Sequence, residues 1–180
     1  MQQSSSSLSW YVLKAYYNNV DSILSTLEAH SEETYIPMET IMREDREGSI
    51  IKTTRPLIPG MVFFRCDGRE VLVLRELLTD KAFIYHRHVG DRREPAPIND
   101  KELNNFRRFV SSCQHYEHVD CQSINLSKGH RVRVIDGLYK GFEGRVCRVK
   151  GNRHLVIAVT GACAVMLIDY IPHDFLQKIE

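Results

Sequence analysis

The chain has 180 residues, of which 43% are hydrophobic and 26% charged, so one large or two small globular domains are expected. Its 24 Lys+Arg against 23 Asp+Glu give a net charge of +1, which argues against a strongly basic nucleic-acid binder but allows local basic patches. No apolar run approaches the roughly 20 residues that cross a bilayer, which argues against a membrane protein.

Residues 1–9 are mostly polar and lack the basic and apolar regions of a signal peptide, so we expect a short disordered tail. The five cysteines are odd in number and contain no CxxC pair. Such usage fits a reducing compartment better than a disulfide framework, and a cytoplasmic protein is expected.

Residues 10–112 alternate strand and helix patterns. The aromatic and β-branched segment Trp10–Tyr16 predicts a first strand. Asn18 or Asn19 can then cap an amphipathic helix. The apolar side of that helix has the spacing i, i+3, i+4, i+7, at Val20, Ile23, Leu24 and Leu27.

The middle of this region reads as a strand, a hairpin and a further strand. Thr34–Met38 predicts a strand that Pro37 ends or places at a sheet edge. Residues 41–54 predict a hairpin. The apolar start of Met61–Cys66 indicates a central strand that is contacted on both faces.

Val71–Leu78 fits a strand or a helix, and the spacing of its leucines favours a helix, while Ala82–Tyr85 predicts a short strand. Asn99 and Glu102 have the spacing of a helix capping box. The buried side of that helix is expected at Leu103, Phe106 and Val110.

Periodicity is lost over residues 113–126, which predicts a linker, and residues 127–180 read as strands throughout. Val132 and Val134 alternate with arginines, as in a half-buried strand. Gly144 interrupts the next alternation and predicts a bulge. Several short strands in so short a segment suggest a small barrel, because closure removes exposed edges.

Four segments resemble motifs of the NusG family, in the family's order. Trp10–Val12 resembles the start of its N-terminal domain, and Arg55–Phe63 its proline-glycine strand entry. Pro95–Leu103 resembles the start of the last helix of that domain, and Gly129–Val146 resembles the KOW motif. Ribosomal proteins share the KOW motif, but four motifs in order indicate NusG over essentially the whole chain.

The resemblance implies an α+β protein of two domains. Residues 10–112 would form a ferredoxin-like αβ sandwich, the family's N-terminal (NGN) domain. Residues 113–126 would be the linker, and residues 127–180 a small SH3-like β-barrel, the KOW domain.

It also implies a transcription elongation and antitermination factor without enzymatic activity or cofactor. In the family, the first domain binds the clamp helices of RNA polymerase and disfavours pausing, and the barrel binds a second partner such as a ribosomal protein. The residues expected to bind polymerase are Tyr16, Ile58, Pro59, Met61, Phe63 and Phe83.

The expected tip of the barrel departs from the general family member. That member carries an apolar partner-binding residue where this chain has Thr160, followed by Gly161 and Ala162. This altered tip, the short linker and the divergent residues Ile58 and Met61, where the family usually has aromatics, together resemble the specialised antiterminators of the UpxY and RfaH type. Such paralogs act on selected long operons, often those for surface polysaccharide.

The densest basic cluster is the predicted loop His86–Arg93. A loop of this kind can contact non-template DNA or nascent RNA through phosphates and stacked bases. The alternative is a solvated loop, partly neutralised by Asp91 and Glu94. The residues expected to contact nucleic acid are Lys14, Arg87, Arg92 and Arg93.

The sequence raises three further possibilities. Cys113–Cys121 contains two cysteines and two histidines that could hold zinc, but their spacing matches no finger or ribbon, which favours a polar linker without metal. A ribosome-associated KOW protein that binds RNA is the alternative function, and the near-neutral charge argues against it. The sequence has no nucleophile elbow and no phosphate-binding loop, so no enzyme is predicted.

Overall fold

A computed structural model describes residues 8–17, 19–121 and 123–179. The chain divides into two compact units, Met1–Asp100 and Lys101–Glu180. Most of the predicted tail lies outside the described residues, and Ser9 already begins the first strand. No helix in the described part of the chain is long and apolar enough to cross a membrane.

The first unit combines short antiparallel strands with two helices. Its elements are β1 (Ser9–Ala15), α1 (Val20–His30), β2 (Glu33–Tyr35), β3 (Met38–Glu44), β4 (Ile50–Pro56), β5 (Met61–Cys66), α2 (Glu70–Leu77), β6 (Ala82–Ile84), β7 (His86–Val89) and β8 (Arg92–Pro95). Four strands form an antiparallel sheet in the order β2-β5-β1-β6. The predicted central position of Met61–Cys66 is therefore confirmed.

One face of this sheet packs against the two helices. Side chains alternate between faces along a strand, so every second residue of β1 and β5 points to that side. Leu13 of β1 and Phe64 of β5 are fully buried there, together with Ile23 and Leu27 of α1. These α1 residues are part of the predicted apolar stripe. Burying a side chain of this size stabilises the fold by roughly 1.5–3 kcal/mol.

The start of α1 differs in detail from the prediction. Asn19 occupies the N-cap position, but its side chain makes no capping hydrogen bond and donates instead to the Tyr16 carbonyl at 2.8 Å. The other predicted cap, Asn18, lies outside the described residues.

Two separate hairpins complete the first unit. The hairpin predicted for residues 41–54 is present as β3 and β4, which pair from Met38–Pro56 to Glu44–Ile50. The predicted loop His86–Arg93 is wrong, since β7 and β8 form a second hairpin there. Only Val89 is apolar in this basic and polar segment, so no apolar periodicity predicts a strand.

The described part of the second unit comprises one α-helix, two short 3-10 helices (Leu126–Lys128 and His173–Phe175) and a six-stranded antiparallel sheet. The helix α3 (Asp100–Ser112) begins where the two units divide. The strands are β9 (Tyr116–Val119), β10 (His130–Val134), β11 (Glu143–Val149), β12 (Asn152–Val159), β13 (Cys163–Leu167) and β14 (Leu176–Lys178). They lie in the order β14-β10-β11-β12-β13-β9.

The predicted linker, residues 113–126, contains β9, which pairs with β13 from Tyr116–Leu167 to Val119–Ala164. At least that part of it is built into the second unit's sheet rather than free. The signal was missed because Tyr116–Val119 is short and largely polar. The compact units also divide earlier than the predicted domain end at residue 112.

Helix α3 buries the three predicted residues, Leu103, Phe106 and Val110, and also Phe109. Within the second unit the Phe109 ring meets Phe142 edge-on at 5.2 Å. The amphipathic pattern predicted the buried side of α3, but it carries no information on which unit the helix joins.

The predicted bulge at Gly144 is wrong, since Gly144 pairs with Val132 in an unbroken register with β10, and β11 pairs in register with β12 from Arg145 onwards. The absence of a side chain at Gly144 instead leaves room for the neighbouring strand β12. A Cβ at Gly144 would lie 2.6 Å from the Val156 carbonyl oxygen and 2.9 Å from Leu155. The interruption in the pattern marks a close approach of β12.

Candidate functional site

The second face of the first unit's sheet, opposite α1 and α2, carries several predicted polymerase-binding residues. Lys14 of β1 is the cross-strand partner of both Met61 on β5 and Phe83 on β6. Val12 is the partner of Phe63 in the next row. Because directly opposite residues point to the same face, these five side chains lie on one face of the sheet.

At one end of this face, three predicted residues are exposed to solvent. Tyr16 and Phe83 are each 40% exposed, and Pro59 is exposed as well. Lys14 joins them, because its backbone pairs with Phe83 and its Nζ donates to the Pro59 carbonyl. We call Tyr16, Pro59 and Phe83 the edge cluster. Two partly open rings and a proline next to one another at the end of a sheet are suited to contact another protein.

Gly60 fixes the loop that presents Pro59. Its φ of +73° lies in the left-handed region, and a Cβ there would be 3.3 Å from the Ala15 carbonyl oxygen. The Ala15 N–H donates to the Gly60 carbonyl at 2.7 Å. The loop is thereby held against the end of β1, next to Tyr16.

The other three predicted polymerase-binding residues are buried. Ile58 is 5% exposed, Met61 2% and Phe63 0%. In this arrangement they support the surface and cannot touch a partner. Their role as direct contacts stays a prediction that requires them to become uncovered. Sequence alternation places a residue on a face, but it does not tell whether that face is covered.

The basic residues predicted to contact nucleic acid fall into two places. Lys14 lies on the second face of the sheet and is engaged with Pro59. Arg87, Arg92 and Arg93 are exposed on the β7–β8 hairpin. The predicted set is therefore not one continuous patch.

The three hairpin arginines line a cleft of about 640 Å³ together with Arg75 of α2. We call it the α2–hairpin cleft. Part of its apolar wall is Leu72, which is 44% exposed. Sequence reasoning missed Arg75 and Leu72. The signal that could have identified this wall is the number of apolar residues in α2, because one buried side of a short helix cannot hold them all. Val73 and Leu77 are exposed as well as Leu72.

The α2 wall of this cleft is fixed at its beginning. The Asp67 carboxylate accepts from the backbone N–H groups of Glu70 at 3.0 Å and of Arg69 at 2.6 Å. These two hydrogen bonds lower the pKa of Asp67. His30 at the end of α1 lies 2.9 Å from the Glu70 carboxylate and ties the two helices together.

The Cys113–Cys121 segment is not arranged as a metal site. Among the described residues, no group of three or more His, Cys, Asp or Glu is placed to hold an ion. His115 instead lies 3.1 Å from the Asp169 carboxylate. Burial raises the pKa of both the Cys113 and the Cys121 thiol to about 11.

Thr160 of the second unit is engaged with α3. Its hydroxyl donates to Glu102 at 2.9 Å, and its backbone N–H donates to the same carboxylate at 3.2 Å. Glu102 was predicted to reach back towards its own helix start, and these bonds show a further use for it. The position therefore presents a polar, hydrogen-bonded side chain.

Known proteins resemble this chain over most of its length. The family model described as "Transcription termination factor nusG" matches residues 8–107. Proteins named transcription termination/antitermination protein NusG are similar to it: that of Streptococcus pyogenes is 23% identical, with 80% of this chain and 82% of the relative covered. That of Helicobacter pylori is 22% identical over 77% and 80%, and that of Lactococcus lactis 25% identical over 76% and 66%.

The matched residues 8–107 are more than half of the chain and include all six residues of the predicted polymerase-binding set. The relatives' names describe factors of transcription termination and antitermination, not enzymes. The chain belongs to the NusG family of transcription factors.

Proposed function

We propose that this protein is a transcription elongation and antitermination factor that binds the clamp helices of RNA polymerase through the edge cluster. The observation that carries the proposal is the exposure of Tyr16, Pro59 and Phe83 at one end of the second sheet face. Partly open apolar side chains on a rigid support are typical anchors for a helix of another protein. The family match and the relatives' names support a role in transcription.

The proposed mechanism is steric and requires no chemistry on a substrate. A factor that binds better to the closed clamp than to the open one raises the population of the closed state. Since paused complexes are expected to favour a looser clamp, this binding would suppress pausing and termination. The predicted contact with non-template DNA or nascent RNA through Lys14, Arg87, Arg92 and Arg93 stays a prediction.

The finer fold assignments are also proposals. The sheet order β2-β5-β1-β6 with helices after β1 and β5 has the β-α-β-β-α-β connectivity of a ferredoxin-like sandwich, with β3 and β4 as an inserted hairpin. The short antiparallel strands of the second unit and its KOW-like segment support an SH3-like barrel. We propose that this unit binds a second partner, such as a ribosomal protein.

We further propose a specialised paralog that acts on selected operons, such as those for surface polysaccharide. Identity to the named relatives is only 22–25%, and the Thr160 side chain is hydrogen-bonded to Glu102 where the general member has an apolar contact. Sequencing the nascent transcripts that co-purify with the protein tests this. A few long operons are expected, and uniform coverage of all transcripts would contradict it.

The polymerase proposal is tested by co-purification with core RNA polymerase. Tyr16→Asp and Phe83→Glu should each reduce the bound fraction at least about tenfold, because a charge is placed into a desolvated contact. Tyr170→Asp is the matched control, since Tyr170 is 85% exposed in the second unit. Met61→Glu and Ile58→Asp are unsuitable, because both positions are buried and the changes would disturb folding.

Equal polymerase binding by Tyr16→Asp, Phe83→Glu and Tyr170→Asp would contradict the proposal. Sedimentation of the unaltered protein with ribosomal subunits instead of polymerase would favour a ribosome-associated factor.

A further inference from the structure

We propose that the α2–hairpin cleft binds an acidic protein segment that carries an apolar side chain. The cleft is separate from the edge cluster. Its lining residues Tyr11 and Val71 belong to the core between the sheet and the helices, whereas Phe83 is on the opposite face of the sheet. The proposal therefore adds a second protein contact to the first unit, beyond polymerase binding.

The positive charge of the cleft favours a partner with carboxylate groups. Arg75, Arg87, Arg92 and Arg93 line it, and Glu94 is the only acidic side chain among the described lining residues. A guanidinium group offers parallel N–H donors that match both oxygens of a carboxylate. Several arginines around one cleft can hold more than one Asp or Glu of a partner.

The apolar wall of the cleft favours a partner segment that has a hydrophobic side chain between its carboxylates. Leu72 is 44% exposed and lines the cleft beside Val71 and Pro95. Val73 and Leu77 extend the exposed apolar surface of α2, at 43% and 49% exposed. Apolar side chains left open next to a basic rim are suited to a protein segment with alternating acidic and apolar residues.

A nucleic-acid strand fits the same features less well. The only aromatic ring among the described lining residues is Tyr11, which is 6% exposed and offers no open face on which a base could stack. The basic positions also have acidic neighbours. Glu76 pairs with Arg75 at 3.4 Å, and Asp91 precedes Arg92. A phosphate backbone favours a continuous basic track, whereas a peptide can space its own carboxylates around these acidic side chains.

The proposal is tested by selecting random displayed peptides against the full chain and measuring binding of synthetic copies by fluorescence anisotropy. Enriched peptides should combine Asp or Glu with Leu, Ile or Phe. The double variant Arg92→Glu/Arg93→Glu should bind them at least about tenfold more weakly, because it places carboxylates opposite carboxylates. The matched control is Arg148→Glu/Arg153→Glu, at exposed positions of the second unit, which should bind as the unaltered chain does.

Two further measurements separate the alternatives. Leu72→Ser should weaken peptide binding without changing the circular dichroism spectrum, because the side chain is half exposed. A labelled single-stranded oligonucleotide should bind more weakly than the peptides. The proposal is overturned if no acidic, apolar peptides are enriched, if they bind the Arg92→Glu/Arg93→Glu variant equally well, or if the oligonucleotide binds more tightly than the peptides and depends on the same arginines.

Core polymerase should still co-purify with the Arg92→Glu/Arg93→Glu variant, because the edge cluster is unchanged. A failure of the peptide proposal is therefore distinguishable from a failure of the polymerase proposal.

Discussion

At the scale of single residues, Gly144 allows β11 and β12 of the second unit to approach each other closely. Replacing it with alanine puts a Cβ 2.6 Å from the Val156 carbonyl oxygen, a backbone atom that cannot turn away. Gly144→Ala should destabilise the protein by about 1–3 kcal/mol in urea unfolding. Gly68→Ala is the control, because its nearest neighbour would be the Tyr11 hydroxyl at 4.0 Å. Equal stability of the two variants would show that β11 can move away from β12.

Glu143 gives the second unit a predictable response to pH. Hydrogen bonds from Arg133, then the charges of Arg133 and Arg131, lower the pKa of this carboxyl. A lowered folded-state pKa contributes stability above the unfolded value of about 4.3, and that stability is lost as the pH falls through the folded pKa. Glu143→Gln should therefore cost about 0.5–1 kcal/mol at pH 7 and much less at low pH. A stability difference that does not depend on pH would contradict this.

The candidate site could be predicted from residue type only in part. Tyr16, Pro59 and Phe83 were expected at a surface and are exposed, whereas Met61 and Phe63 have the same apolar character and are buried. Strand periodicity assigns all of them a face. What covers that face depends on residues distant in sequence, which no local pattern reports.

At the scale of elements, α3 is held to the second unit's sheet by a pair of hydrogen bonds. The Asn105 amide donates to the Glu143 carbonyl at 2.7 Å and accepts from the Glu143 N–H at 3.2 Å. Asn105→Ala leaves both backbone groups of Glu143 without this partner and should cost about 1–3 kcal/mol of unfolding free energy. Asn104, on the same helix but exposed, provides the control Asn104→Ala. A similar small effect of both changes would show that α3 is not held there.

Elements with strong periodicity were predicted well, and short polar elements were not. The i, i+3, i+4 spacing located α1, and the run of apolar residues located β5, because each buries a regular set of side chains. The β7–β8 hairpin, β9 and β14 were missed. Each has few buried residues and is defined by backbone pairing with another strand, which leaves little trace in the sequence.

The whole molecule has a net charge of only +1, although it belongs to a family of transcription factors. We therefore expect it to bind its partners through local surfaces of matching shape rather than through a general attraction to nucleic acid. The first unit offers two different surfaces on opposite sides of one sheet. The edge cluster is apolar and proposed for polymerase, while the α2–hairpin cleft is basic and proposed for an acidic segment. Under these two proposals, polymerase and an acidic protein segment bind on opposite sides of this sheet.

Site-specific photo-crosslinking tests the proposed polymerase contact most directly. A photoreactive phenylalanine analogue at position 83 is irradiated in the presence of core RNA polymerase, with the same analogue at the exposed position 170 as the control. We expect position 83, but not position 170, to crosslink to the clamp helices. Absence of a crosslink from position 83, or equal crosslinking from both positions, would contradict the proposal that the edge cluster contacts polymerase.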